Sequence, residues 1–342
     1  MPLSARLRQL GRSFSLSIVL SLLLIAGCDT GGPGDPSDPP GTDPPEEDPS
    51  GPTSTSVTVQ SDTLELPGTL LVPDTSAAVP GVVFVHGSGA IDRNGQDPQG
   101  RIPPIFKRWA KRMADRGLAV LRYDKRTTQP EVAQADPRAL TFLDFVRDAV
   151  AAGELLRDRE AVDGDRIVFV GHSQGGNVAP AAATRLGNAA GVASLAGPAL
   201  AIDSLLVAQL RASPSTPNAV AEAARAQFDS LRAGTPPPDS LIEVGGSRAG
   251  VTFFRQWIRH SEHLDSVAAA LNAPILAQQG RADRRYPIET LQRTLTGWRH
   301  VAQADDATLR TYEDVDHNFL LEETDSTAAA PIEDLIDWIR NR

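Results

Sequence analysis

The chain has 342 residues, 41% of them hydrophobic, and a formal net charge of −10, so it can bury a large core. An acidic chain with no basic run and 5% aromatic residues argues against nucleic-acid binding, by phosphate attraction or by base stacking. Its one cysteine, Cys28, excludes an intrachain disulfide and a cysteine-based zinc site.

Residues 1–28 read MPLSARLRQLGRSFSLSIVLSLLLIAGC. Arg6, Arg8 and Arg12 come first, then an apolar stretch from Phe14 to Ala26, then small residues. This is the three-part layout of a secretory signal, and it is short for a membrane span. Ile25-Ala26-Gly27-Cys28 resembles the bacterial lipobox. That resemblance implies cleavage before Cys28, acylation of its thiol, and an exported protein lipid-anchored to a membrane of the cell envelope. Each buried methylene of an acyl chain contributes about 0.8 kcal/mol to such an anchor. After Cys28 the chain is rich in Pro, Gly, Asp and Ser with almost no hydrophobe, a composition that cannot fold and reads as a tether. The expected organisation is a signal over 1–27, an acylated tether over 28–55 and one folded domain over 56–342.

From residue 56 the texture changes. SVTVQ and GTLLVP predict a strand pair, and the apolar run GVVFVHG (81–87) predicts a strand buried on both faces. Residues 103–117 are helix-periodic and stop at Gly117. LAVLRYD (118–124) predicts a strand, 141–158 a long amphipathic helix, DRIVFVGHS (165–173) a strand and 174–186 a small-residue helix. GVASLAG (191–197) is again strand-like. Residues 199–270 break this alternation and predict a helical cap insertion. APILAQQG (273–280) predicts the next strand, 288–301 a helix, ATLRTYEDV (307–315) a last strand and 331–340 a closing helix with Pro331 in its first turn. Alternating strand and helix predicts an α/β fold whose parallel sheet is covered on both faces.

GHSQG, residues 171–175, places a serine between two glycines at a predicted strand-to-helix turn. Glycines allow so sharp a turn, which pushes the Ser173 hydroxyl out at the carboxyl end of the sheet, where sites in open parallel sheets lie. The helix starting at Gln174 aims free N–H groups at the same place, and these can hold a developing oxyanion. A serine hydroxyl needs a base. Of six histidines, His86 and His172 sit at strand ends, His260 and His263 in the insertion and His300 on a helix. His317 follows the last strand, where a loop reaches back over the sheet, and is favoured over His300. A base needs a carboxylate to orient it. Asp283, just past the strand ending at Gly280, is favoured over Asp305, Asp306, Asp314 and Asp316.

The order Ser173, Asp283, His317 is the nucleophile–acid–base order of the α/β-hydrolases. HGSG (86–89), RYDKR (122–126), GHSQGG (171–176), GRADRRYP and DHNF carry a resemblance to that superfamily from about residue 56 to the end. Within it, HGSGAIDRNG and RYDKR resemble the serine-aminopeptidase-like and dienelactone-hydrolase-like branch. The resemblance implies a mostly parallel eight-stranded sheet, a Ser-His-Asp triad and no metal or organic cofactor. It also implies an oxyanion hole made of the Gln174 and Ser88 N–H groups. AIDRNG and TTQP depart from the branch's usual loops, and loop shape bears on substrate choice.

The expected activity is cleavage of carboxylic esters by an acyl-enzyme route, on a small-molecule ester or a short acyl or peptide substrate. The alternatives are an aminopeptidase-like peptidase or thioesterase using the same triad, and a non-catalytic surface binding protein. A peptidase needs acids for the substrate's amino terminus, for which the insertion offers Glu222, Asp229, Asp239 and Glu243. Asp92, Arg93, Asp124 and Arg126 read as loop ties, with a charged wall near the site as the alternative. Trp109, Trp257, Trp298 and Trp338 fall in helix patterns and read as packing residues, and the alternative for Trp257, with Phe253 and Phe254, is an acyl pocket.

Overall fold

A computed structural model describes residues 51–342, apart from 245–246, 272, 305–306, 322–323 and 325. The signal, Cys28 and most of the tether lie outside the described residues, as do Asp305 and Asp306.

The chain enters through β1 (Thr53–Ser61) and β2 (Leu64–Val72), paired antiparallel. Strand and helix then alternate: β3 (Val79–Val85), α1 (Ile105–Ala114), β4 (Ala119–Tyr123), the short α2 (Pro130–Ala133), α3 (Phe142–Arg157), β5 (Val162–His172), α4 (Gly175–Leu186) and β6 (Gly191–Leu195). Next come α5 (Ile202–Ala212), α6 (Asn218–Arg232), the strands β7 (Leu241–Val244) and β8 (Ser247–Gly250), α7 (Val251–Glu262) and α8 (Leu264–Leu271). The alternation resumes with β9 (Ile275–Gly280), α9 (Ile288–Ala304), β10 (Ala307–Tyr312) and α10 (Ala329–Arg340).

Eight strands form one sheet in the order β1-β2-β4-β3-β5-β6-β9-β10. From β4 to β10 every neighbour is parallel, and β2 joins antiparallel with Leu70 opposite Leu121. Alternate residues of each central strand serve opposite cores. Val83, Ile167, Phe169 and Val192 face the side carrying α3, α4 and α9. Val82, Phe84, Val168 and Val170 face α1 and α10, where Trp109, Phe319 and Trp338 fill the space. Each such side chain contributes about 1.5–3 kcal/mol on full burial, which is why these strands are apolar on both faces. The expected mostly parallel eight-stranded sheet with helices on both faces is the fold observed.

The segment between β6 and β9 holds more than the helices the sequence predicts. Leu241-Ile242-Glu243-Val244 alternates inward and outward side chains and pairs antiparallel with β8, Ile242 opposite Ala249. So short a pattern is hidden among helical neighbours. The hairpin exists because α6 packs on it: Gln227 bonds the Glu243 main chain through both ends of its amide, at 2.6 and 2.8 Å.

Because β3, β5, β6, β9 and β10 run parallel, the loops after Val85, His172, Leu195, Gly280 and Tyr312 emerge at one edge of the sheet. Ser88, Ser173, Gln174, Asp283 and His317 each follow one of these strand ends.

Candidate active site

Ser173 follows β5 with φ of 55°, in the left-handed region that costs a non-glycine residue about 1–3 kcal/mol. Its N–H donates to the Leu195 carbonyl at 2.8 Å, and its carbonyl accepts from the Gly176 N–H at 2.9 Å. The two flanking glycines are sterically required. A Cβ on Gly171 would lie 2.1 Å from the Gly175 carbonyl oxygen, and one on Gly175 would lie 2.2 Å from that of Val85. The turn therefore has no room for a side chain at either glycine, and Ser173 between them opens into a pocket at the strand ends.

His317 borders the same pocket. Its Nδ1–H donates to Asp283 Oδ2 at 2.7 Å, so in the neutral imidazole the lone pair lies on Nε2. Asp283 is 2% exposed and well supplied with donors: Gln279 Nε2 at 2.9 Å on Oδ2 and the Arg285 N–H at 2.9 Å on Oδ1. His172 holds the other side of His317, donating from Nε2 to the His317 carbonyl at 2.8 Å. Burial pushes the His172 imidazole down to about 3, so this donor is neutral at physiological pH. Tyr286 packs 5.8 Å from the His317 ring and anchors its hydroxyl on the Ala196 carbonyl.

Ser88 and Gln174 also line the pocket. Among the described residues neither main-chain N–H has a hydrogen-bond acceptor. Gly87 brings this loop against the serine: a Cβ there would sit 3.2 Å from that of Ser173.

The structure therefore brings Ser88, Ser173, Gln174 and His317 to one cavity, with Asp283 bonded behind His317. The alternatives lie elsewhere. His300 is exposed on α9, and Asp314 is exposed. Asp316 accepts the N–H groups of Asn318 and Leu320 in its own turn. Arg93 forks onto Asp124, Asp92 accepts the Asn94 and Gln96 N–H groups, and Arg126 forks onto buried Asp148. None of Asp92, Arg93, Asp124 and Arg126 lines the pocket.

The opposite wall comes from the segment after β6. Ile202, Leu205, Leu206 and Trp257 face the pocket, while Phe253 and Phe254 pack behind Trp257 and not on the cavity. Asn177 in the first turn of α4 holds this wall: its Oδ1 accepts the Trp257 indole N–H at 3.1 Å, and its Nδ2 donates to Pro198 O at 3.0 Å. The exposed rim is Pro98, Gln99 and Arg101. His172 lines the pocket and supports His317, the structural role its place at a strand end suggests. Sequence reasoning missed Gln279, Asn177 and the buried Lys125, which touches Gln174. Asn177 and Lys125 act across the fold, so no local spacing marks them.

The comparisons with known proteins agree with this architecture. The Esterase EstD of Thermotoga maritima is 37% identical over 147 residues, 43% of this chain and 34% of that protein. The chain thus covers about a third of that relative's length. Among solved structures, the dienelactone hydrolase of Anabaena variabilis superposes with a TM-score of 0.53 at 18% identity, covering 85% of this chain and 98% of that one. Est1E of Butyrivibrio proteoclasticus gives 0.54 at 15% identity, covering 84% and 96%. The acylaminoacyl peptidase of Pyrococcus horikoshii gives 0.55 at 17% identity, covering 84% and 41%. At these identities the solved structures speak to the fold alone. Residues 82–330 match the alpha/beta hydrolase family, a span that takes in the end of β3, the Ser173 turn, Asp283 and His317, and the chain belongs to that family.

Proposed function

We propose that the protein is a serine hydrolase of carboxylic esters. Supporting this is one observation above the others: a serine held at positive φ opens into the same pocket as a histidine whose Nδ1 is bonded to a buried aspartate. Ser173 Oγ attacks the ester carbonyl as His317 Nε2 takes its proton. Asp283 keeps the imidazole in that tautomer and stabilises its charged form. The Ser88 and Gln174 N–H groups receive the oxyanion. The C–O bond then breaks, and the leaving alcohol takes the proton from His317. Water, deprotonated by the same nitrogen, releases the acid and regenerates Ser173.

The pocket wall disfavours a cationic acyl group. It is apolar over Ile202, Leu205, Leu206 and Trp257, and among the described residues its one lining carboxylate, Asp97, is bonded to Arg101. Glu222, Asp229, Asp239 and Glu243 are exposed and do not line it, so nothing waits there for the ammonium of a peptide. The test is labelling with a fluorescent fluorophosphonate beside hydrolysis of aryl esters, thioesters and aminoacyl anilides. Wild type should label and cleave aryl esters fastest, and Ser173→Ala and His317→Ala should do neither. Labelling that survives Ser173→Ala sinks the assignment; faster anilide cleavage replaces the ester with a peptide.

We propose also that Cys28 carries a lipid anchor in the cell envelope, on the strength of the Ile25–Cys28 motif and the tether that follows. Labelled palmitate fed to the producing cells should enter wild type and not Cys28→Ala. Equal labelling of both would remove the proposal.

A further inference from the structure

We propose that Lys125 is a positioning residue for the oxyanion hole, acting through the Gly87–Ser88 peptide and through Gln174. The inference rests on the function proposed above. Lys125 follows β4 and is 3% exposed. Its main chain is pinned: its N–H donates to the Ile91 carbonyl, and its own carbonyl accepts the N–H and hydroxyl of Thr128, both at 2.8 Å. Its Nζ donates to the Gly87 carbonyl at 2.5 Å and to Gln174 Oε1 at 2.8 Å, and stands 4.2 Å from the centroid of Phe145.

One acceptor is the carbonyl of the peptide that carries the Ser88 N–H, and the other is the side chain of Gln174. The Gly87 carbonyl and the Ser88 N–H share one peptide plane, and that bond is trans, so they point in opposite directions. Fixing the oxygen on the ammonium therefore fixes where the Ser88 N–H aims. An ammonium on that oxygen also draws electron density from the nitrogen and strengthens the N–H as a donor. On the other side, Lys125 clamps the side chain of the residue whose main-chain N–H is the second donor. One Nζ thus sets both.

Stability alone does not account for a lysine here. Burial of the ammonium is unfavourable and pushes it down to about 7, with Asp148 pulling the other way. Asp148 is occupied by a two-pronged bond from Arg126 at 2.6 and 2.8 Å, so it is no direct partner. The positive charge of Lys125 also bears on His86, which burial holds at about 3. An apolar chain of the same length would fill this space beside Phe145 without the desolvation penalty.

The test is Lys125→Met, with sites counted by fluorophosphonate titration. Losing one oxyanion donor outright costs about 10²–10³-fold in kcat, so misaiming two should lower kcat per titrated site about 10- to 100-fold. KM should stay within about 2-fold, because the ground state gains little from the hole. The inhibition constant of an aryl trifluoromethyl ketone, which forms an oxyanion adduct with a reactive serine, should rise in parallel with the loss in kcat. A role confined to folding would lower the melting temperature and the number of titrated sites, leaving kcat per site and ketone affinity unchanged. That outcome overturns the inference while leaving the Ser173 assignment standing. Wild type that does not label at Ser173 defeats the function itself. Should Lys125→Met not fold, Lys125→Gln, an uncharged donor, is measured the same way: wild-type kcat per site and ketone affinity would overturn the inference, and a parallel loss in both would support it.

Discussion

The strand-end loops and the segment between β6 and β9 face each other across one pocket, yet they are built on opposite principles. The loops carrying Ser173, Ser88 and His317 are set by main chain against main chain. Cβ atoms at Gly171, Gly175 and Gly280 would meet carbonyl oxygens at 2.1–2.2 Å. The opposite wall is set by side chains, with Ile202, Leu205 and Leu206 on one face of α5 and Trp257 on α7. Side-chain walls can be repacked one residue at a time; a main-chain turn cannot. On the proposed function, the chemistry is thereby held on the part that cannot vary, and the choice of substrate on the part that can.

Four substitutions would break or sharpen that division. The largest effect belongs to Ser173→Ala, which should lower kcat on an aryl ester by at least about 10⁴-fold with the melting temperature unchanged or raised, since alanine relieves no wall contact. Asp283→Asn comes next. It should cost about 10³- to 10⁴-fold in kcat, because an amide cannot hold the same His317 tautomer. Gly175→Ala should destabilise the whole protein by about 3 kcal/mol or more in urea unfolding, through the clash with the Val85 carbonyl. If it were neutral, the turn would be less constrained than the geometry states. Trp257→Leu should shift the kcat/KM ratio of octanoyl to acetyl esters about 10-fold towards the longer chain, with fluorophosphonate labelling of Ser173 held within about 2-fold. A change in labelling of the same size as the change in selectivity would erase the distinction between frame and wall.

The subtlest test is one of pH. Lys125 has its folded pKa lowered from 10.5 to about 7 by burial. Between those values the unfolded chain binds more protons at this group than the fold does, so its contribution to stability grows as pH rises from about 7 to about 10.5. Relative to Lys125→Met, wild type should therefore gain melting temperature between pH 7 and pH 10. A constant difference would mean that Lys125 titrates normally.

Much of this was legible in the sequence. Ser173 is marked by glycines two residues either side, because a sharp turn leaves that local signature. Asp283 and His317 are marked by their place just after strands, because a parallel sheet gathers strand ends at one edge. The hairpin β7–β8 was not legible, since four alternating residues carry too little pattern to outweigh the helices around them. Lys125 lies within RYDKR, but its partners Gly87 and Gln174 are 38 and 49 residues away. Asn177 reads as an ordinary helix residue until the fold brings Trp257, 80 residues on, to its amide. Contacts of this kind depend on packing, for which a single sequence holds no periodic signal.

Asn177 carries a consequence for how substrate comes and goes. One carboxamide rivets the helix that begins beside Ser173 to both Pro198 and Trp257, in a place shut off from water. A door swinging on β6 would have to shear both bonds at every turnover. The exposed residues Pro98, Gln99 and Arg101 border the pocket and offer an entrance that needs no such movement. On the proposed function, an entrance of that kind predicts turnover limited by chemistry and a kcat indifferent to the viscosity of the solvent.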